Sequence, residues 1–149
     1  MANESFEKFR VNLSIKSKNG LDFTLSAGIV WILIAFVWTL NWKSYDKSVI
    51  TFMVGVLLIP LALLFSKLFK TTWTDTANPL QPLGLWLNFA QLFYFPFLIF
   101  SLIKLPDYFV MVYAIITGGH LFPYACFYKT NLYAVFAGIL TVGAMLCGL

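Results

Sequence analysis

Apolar positions in this chain gather into long runs, and the polar ones fall between them in short clusters. Five runs approach the ~20 residues that a helix needs to cross the ~30 Å hydrocarbon core of a bilayer. They predict helices over 21–42, 49–66, 83–103, 108–128 and 132–149. The predicted fold is an all-α bundle of five membrane spans, with residues 1–20 as a polar cytoplasmic tail.

The polar clusters give the spans their ends. In the tail, Lys8, Arg10, Lys16 and Lys18 accompany Phe6, Phe9 and Leu13 at helical spacing. That pattern predicts an interfacial amphipathic helix. The alternation of Val11-Asn12-Leu13-Ser14-Ile15 argues equally for a solvated, frayed tail. Trp38 and Trp42 close the first span like an aromatic belt. A turn from Lys43 to Ser48 leads to the second, where Pro60 predicts a kink. The longest polar connection, Lys67 to Pro82, holds Thr71, Thr72, Trp73, Thr74, Asp75, Thr76 and Asn78. It is either a functional loop or, more plainly, a connector anchored by Trp73. Tight turns at Lys104–Asp107 and Lys129–Asn131 follow, and the second makes the last two spans an antiparallel hairpin. In the fifth span Ala134 and Gly138 are four apart, as are Ala137 and Thr141, a spacing that lets helices approach closely.

Composition agrees: 60% of the 149 residues are hydrophobic and 11% are charged, with mean hydropathy +0.83. The first apolar run is too long for a signal peptide, and no small-residue cleavage site follows it. The net charge of +4 forms no basic face, so no nucleic-acid partner is expected. With the N-terminus inside, Lys8, Arg10, Lys16, Lys18, Lys67, Lys70 and Lys129 are cytoplasmic, which is 7. Lys43, Lys47 and Lys104 lie outside, which is 3 and completes the 10. The excess favours N-terminus in and C-terminus out. Cys126 and Cys147 match no zinc or redox spacing. They should sit near opposite ends of their spans, too far apart for a disulfide.

One stretch inside an apolar run carries chemistry: Gly118-Gly119-His120-Leu121-Phe122-Pro123-Tyr124, which holds the only histidine. An ionisable residue within a span is costly and is by default a functional hypothesis. Pro123 leaves the carbonyl of Gly119 without its helical donor. Tyr113 and Thr117 extend the stripe at helical spacing. The third span carries Asn88, Gln91 and Tyr94, followed by Pro96. Asn88 and Gln91 lie five and eight residues after Leu83, about 8–12 Å from the cytoplasmic end. His120 and Tyr124 lie eight and four residues before Tyr128, about 6–12 Å from the same end. At this shared depth His120 is expected within direct or one-water reach of Asn88 or Gln91. The cluster is either a polar pocket for a ligand or proton, or interhelical glue worth about 0.6 kcal/mol per hydrogen bond.

Other chemistries find little support. A zinc site needs three or four ligands, and one histidine without an intramembrane carboxylate does not supply them. Cys126 is six residues from His120, on another helical face. Asp22 and Asp107 stand only at span edges, which weakens proton-coupled transport. No catalytic residue, metal or cofactor is expected.

The chain from Asn78 onward resembles an uncharacterised family of small bacterial multi-span membrane proteins. The resemblance rests on Asn78-Pro79-Leu80, Asn88-Phe89-Ala90-Gln91, Tyr94-Phe95-Pro96 and the stretch from Gly118 to Tyr124, about the second half of the chain. It implies a bacterial cytoplasmic membrane setting and no particular mechanism. The expected function is binding of a small molecule or lipid in a polar intramembrane pocket, as in a transporter or channel component. The candidate ligand residues are Asn88, Gln91, Tyr94, Tyr113, Thr117, His120 and Tyr124. The alternative is a non-catalytic structural or regulatory subunit. It would pack through the fifth span against a membrane partner or another copy of itself.

Overall fold

The computed structural model describes residues 2–73 and 77–148. Thr74, Asp75 and Thr76 of the long connection lie outside the described residues, as do Met1 and Leu149. Every regular element among the described residues is helical: α1 (Ala2–Lys16), α2 (Leu21–Thr39), α3 (Ser44–Gly55), α4 (Leu58–Phe69), α5 (Gln81–Leu92), α6 (Phe95–Lys104), α7 (Phe109–Phe127) and α8 (Leu132–Gly148). Four stretches are long and apolar enough to cross a membrane: Lys18–Thr39, Ser44–Phe69, Gln81–Lys104 and Pro106–Phe127. Helix α8 is equally apolar but has 17 residues.

Proline explains why two of these stretches are split. Its ring crowds the carbonyl four residues back and it offers no N–H to it. Four residues before Pro60 is Val56, in the break between α3 and α4. Four before Pro96 is Leu92, the last residue of α5. At each break the backbone tightens to i→i+3 bonds. Val56 N donates to Met53 O at 3.1 Å, and Tyr94 N donates to Gln91 O at 3.1 Å. Helix α7, in contrast, runs on through Pro123.

The element ends differ from the expected ones. Helix α2 stops at Thr39, because Leu40 is extended (φ −71°, ψ 147°), so Trp42 lies beyond it. Helix α3 begins at Ser44 rather than Val49, and Asp46 in its first turn suits the positive end of the helix dipole. The N-terminal segment is a helix and not a frayed tail. Leu13 is buried in one cluster with Tyr124 and Phe127, against which Leu80, Leu87, Tyr128 and Tyr133 pack. Val11 and Ile15 stand four apart on the opposite, exposed face. An alternating pattern therefore marks two faces of one helix.

Hydrogen bonds collect at the two ends of the bundle. At one, Trp38 Nε1 donates to Thr51 Oγ1 (2.9 Å), Lys47 Nζ to Trp38 O (3.3 Å) and Ser48 Oγ to Pro106 O (3.2 Å). At the other, Asn78 Nδ2 donates to Phe9 O (2.9 Å) and Lys129 Nζ pairs with Glu7 Oε2 (2.5 Å). The ammonium of Lys129, hydrogen-bonded to Glu7, holds that carboxylate below its ordinary pKa, with Arg10 assisting. Helices α7 and α8 form a close antiparallel pair. A Cβ on Gly118 would fall 2.9 Å from Leu140 Cβ and 3.0 Å from Thr141 Cγ2.

Candidate functional site on helix α7

Tyr113, Thr117, His120 and Tyr124 are spaced four, three and four apart, so they share one face of α7. That face turns into the bundle. The Tyr113 ring lies 5.4 Å from Trp31 of α2, and its hydroxyl lies 2.8 Å from where a Cβ on Gly55 of α3 would sit. Tyr124, 8% exposed, packs against Leu13 and Phe127 and stacks 5.8 Å from Tyr128. Two hydroxyls on the stripe, Thr117 Oγ1 and Tyr124 OH, are buried with no hydrogen-bond partner among the described residues. A buried polar group left unmet costs about 1–3 kcal/mol. Between them His120 is half-buried and meets the Tyr124 ring edge-on at 5.4 Å.

Helix α5 faces this stripe in a register set by one contact. Gly84 approaches Phe127 so closely that a Cβ would fall 2.9 Å from Phe127 Cζ. Gln91 is seven residues after Gly84 and His120 is seven before Phe127, so each lies about 10 Å along its helix from that contact. Gln91 is half-buried at the depth of His120. Asn88 is exposed and donates to Gly84 O of its own helix at 3.0 Å. Tyr94 is exposed, in the break between α5 and α6. No hydrogen bond joins His120 to Asn88 or Gln91 among the described residues. The structure thus brings four of the seven candidates into one stripe, sets Gln91 across from it, and turns Asn88 and Tyr94 elsewhere.

Sequence reasoning missed a second feature. Asp22, read as a span-edge residue, is 1% exposed. Its Oδ2 accepts from Thr71 Oγ1 (2.6 Å) and Trp73 Nε1 (2.6 Å), and its Oδ1 accepts from Phe23 N (2.9 Å). The Trp73 ring also packs 4.7 Å from Phe23. Beside it, Lys18, Asn19 and Gly20 form a left-handed turn with φ of 49°, 56° and 68°. A Cβ on Gly20 would lie 3.2 Å from the hydroxyls of both Tyr128 and Tyr133, in a conformation that costs a side-chain-bearing residue about 1–2 kcal/mol. The Tyr133 hydroxyl donates to Asn19 O and lies 3.1 Å from Thr24 Oγ1. Asp22 thereby ties the head of α2 to the segment after α4. The available signal was the pairing of a lone carboxylate in an apolar run with Thr71 and Trp73 in a polar loop. Among the described residues no group of three His, Cys, Asp or Glu side chains is placed to hold a metal ion.

These features define a class: a protein that is all-helical among the described residues, where four helical stretches are long and apolar enough to cross a membrane. Within that class the chain belongs to DUF7010, a family of unknown function, whose model matches residues 6–149. The match takes in most of α1 and all of α2 to α4 as well as the second half, where the sequence motifs lie. No curated protein and no solved structure matches the chain.

Proposed function

We propose that this chain is a multi-pass protein of the bacterial cytoplasmic membrane, crossing five times with its N-terminus inside and its C-terminus outside. It binds a small molecule or lipid at the polar stripe of α7, as a transporter or channel component does. One observation carries this reading: Tyr124 is more than nine-tenths buried, yet its hydroxyl has no partner among the described residues. In hydrocarbon a polar group left unmet costs several kcal/mol, and a bound molecule removes that cost. Thr117 adds a second unmet hydroxyl on the same face, with the half-buried His120 between the two. The seven basic residues on the α1 side against three on the other support the orientation.

Native mass spectrometry of the purified full-length chain, beside its His120→Phe variant, tests the proposal. The wild-type chain should carry a small-molecule adduct, and the variant should lose it while its helical circular dichroism stays unchanged. If neither chain carries an adduct and the variant only melts at a lower temperature, the stripe is structural. The protein is then better described as a structural or regulatory subunit.

A further inference from the structure

We infer that the α7 site takes an uncharged, lipid-soluble molecule whose head group is rich in hydrogen-bond acceptors, such as the carbonyl oxygens of a quinone. The molecule enters sideways from the bilayer between α5 and α7. This inference rests on the binding site proposed above and specifies its ligand.

The chemistry of the wall comes first. Thr117 and Tyr124 each carry a buried hydroxyl with no partner among the described residues, and each can donate. His120 supplies a ring N–H and Gln91, at the same depth, an amide NH2. Each of these groups can therefore donate to a ligand oxygen. The wall is also uncharged, apart from the ionisable His120 itself. The nearest Lys, Asp, Glu or Arg along α7 and its flanks are Asp107 before the helix and Lys129 after it. A charged head group drawn between these helices would lose its hydration with no opposite charge to meet it, a cost of several kcal/mol per ion. A neutral acceptor loses far less and satisfies the hydroxyls.

The route follows from how α5 sits. Contact is tight at Gly84 and Phe127, where an added Cβ would fall 2.9 Å from Phe127 Cζ. Beyond that point α5 covers little: Asn88, Phe89, Leu92 and Phe93 are exposed, and only Leu87 and Gln91 are half-buried among the described side chains of that length. The exposed side of α5 beside His120 thus faces the apolar surroundings, and the route runs along it. A molecule arriving by that path is already dissolved in lipid. The edge-on pair of His120 and Tyr124 offers ring faces and edges against which a flat head group packs.

The test uses the full chain in nanodiscs of neutral phospholipid, titrated calorimetrically with decyl-benzoquinone and, separately, with decyl phosphate. Quinone binding should be saturable, and decyl phosphate should show only unsaturable partitioning. Tyr124→Phe keeps the ring and removes only the hydroxyl, so affinity should fall about fivefold, the effect of one hydrogen bond. His120→Phe should abolish the saturable component. If that variant does not fold, Tyr124→Phe decides alone. Saturable decyl phosphate binding that His120→Phe removes, without quinone binding, overturns the uncharged class and leaves the site standing. Saturable quinone binding unchanged in the folded variants overturns the location. No saturable binding of either probe overturns the ligand class, and the mass-spectrometric adduct then judges the site separately.

Discussion

An aspartate with almost no exposed surface is held in place by the donors around it, and Asp22 has three, all neutral. Both oxygens face N–H or O–H groups. In Asp22→Asn one of them becomes an NH2 that points at a donor, so the variant should lose about 1–3 kcal/mol, read as a lowered unfolding midpoint in detergent. Trp73→Phe keeps the ring against Phe23 and removes one donor, at about 1 kcal/mol. The two changes share one hydrogen bond, so the double variant should fall short of their sum by about 0.5 kcal/mol or more. Strict additivity would mean that the indole does not engage the carboxylate. This contact shows what residue-level reading can and cannot reach. His120 stood out because an imidazole in an apolar run is unusual wherever the chain goes. Asp22 did not, because an acid in the first turn of a helix is an ordinary preference. Its burial depends on Thr71 and Trp73, which are 49 and 51 residues away.

Helices meet in this molecule where side chains are missing, and two glycines separate the close approaches from the open faces. Gly118→Ala would place its Cβ 2.9 Å from Leu140 Cβ and 3.2 Å from the Thr141 backbone nitrogen, so α7 and α8 must part. It should cost about 1–3 kcal/mol as overpacking. Gly138→Ala meets nothing within 4 Å and should gain about 0.5–1 kcal/mol from helix propensity. Thermal melts of the two variants should move in opposite directions, and a fall for both would place Gly138 in a contact with another molecule. The small-residue spacing was legible in α8, but not which pair is used: Thr141 packs on Gly118 while Gly138 stays open, since the partner's own glycine decides. The breaks after α3 and α5 were half legible. Pro60 announced the first as a kink, Pro96 was noted without one, and the position of both breaks follows from the carbonyls that the rings displace. Docking of α1 gives a pH dependence. Glu7 has a lowered pKa from its hydrogen bond to Lys129 and its neighbour Arg10. A lowered folded-state value means that this support is complete above the ordinary 4.5 and is lost as pH falls through the lowered value. The pair is exposed, so the effect is small. Amide exchange in α1, corrected for intrinsic rate, should quicken below that range in the wild-type chain. In Glu7→Gln it should already be quick at neutral pH and show no such step.

At the scale of the whole molecule, an all-helical chain with membrane-length apolar helices was legible because runs that long leave few other folds open. Which helices touch was not, because apolar surfaces of similar composition do not name their neighbours. The number of crossings turns on α8, whose 17 residues reach about 26 Å, just inside the shortest spans that cross. Its partner argues that it crosses. The hairpin closes at Tyr128 and Tyr133, whose rings lie 5.7 Å apart, and passes Gly118 against Thr141 midway. It ends with Gly148 beside Met111, near the start of α7, where an added Cβ would fall 3.0 Å from Met111 Cβ. Helix α8 thus follows α7 along nearly its whole length, and if α7 crosses the bilayer α8 must reach the same far side. Lys129, at the turn between them, stays with Glu7 on the α1 side, where seven of the ten basic residues collect. A fluorescent reporter that matures only in the cytoplasm, fused after Leu149, should therefore stay dark, and the same reporter fused before Met1 should shine. A bright C-terminal fusion with a bright N-terminal one would mean that α8 turns back and four helices cross. A bright C-terminal fusion with a dark N-terminal one would mean that the bundle is inverted against its charge bias.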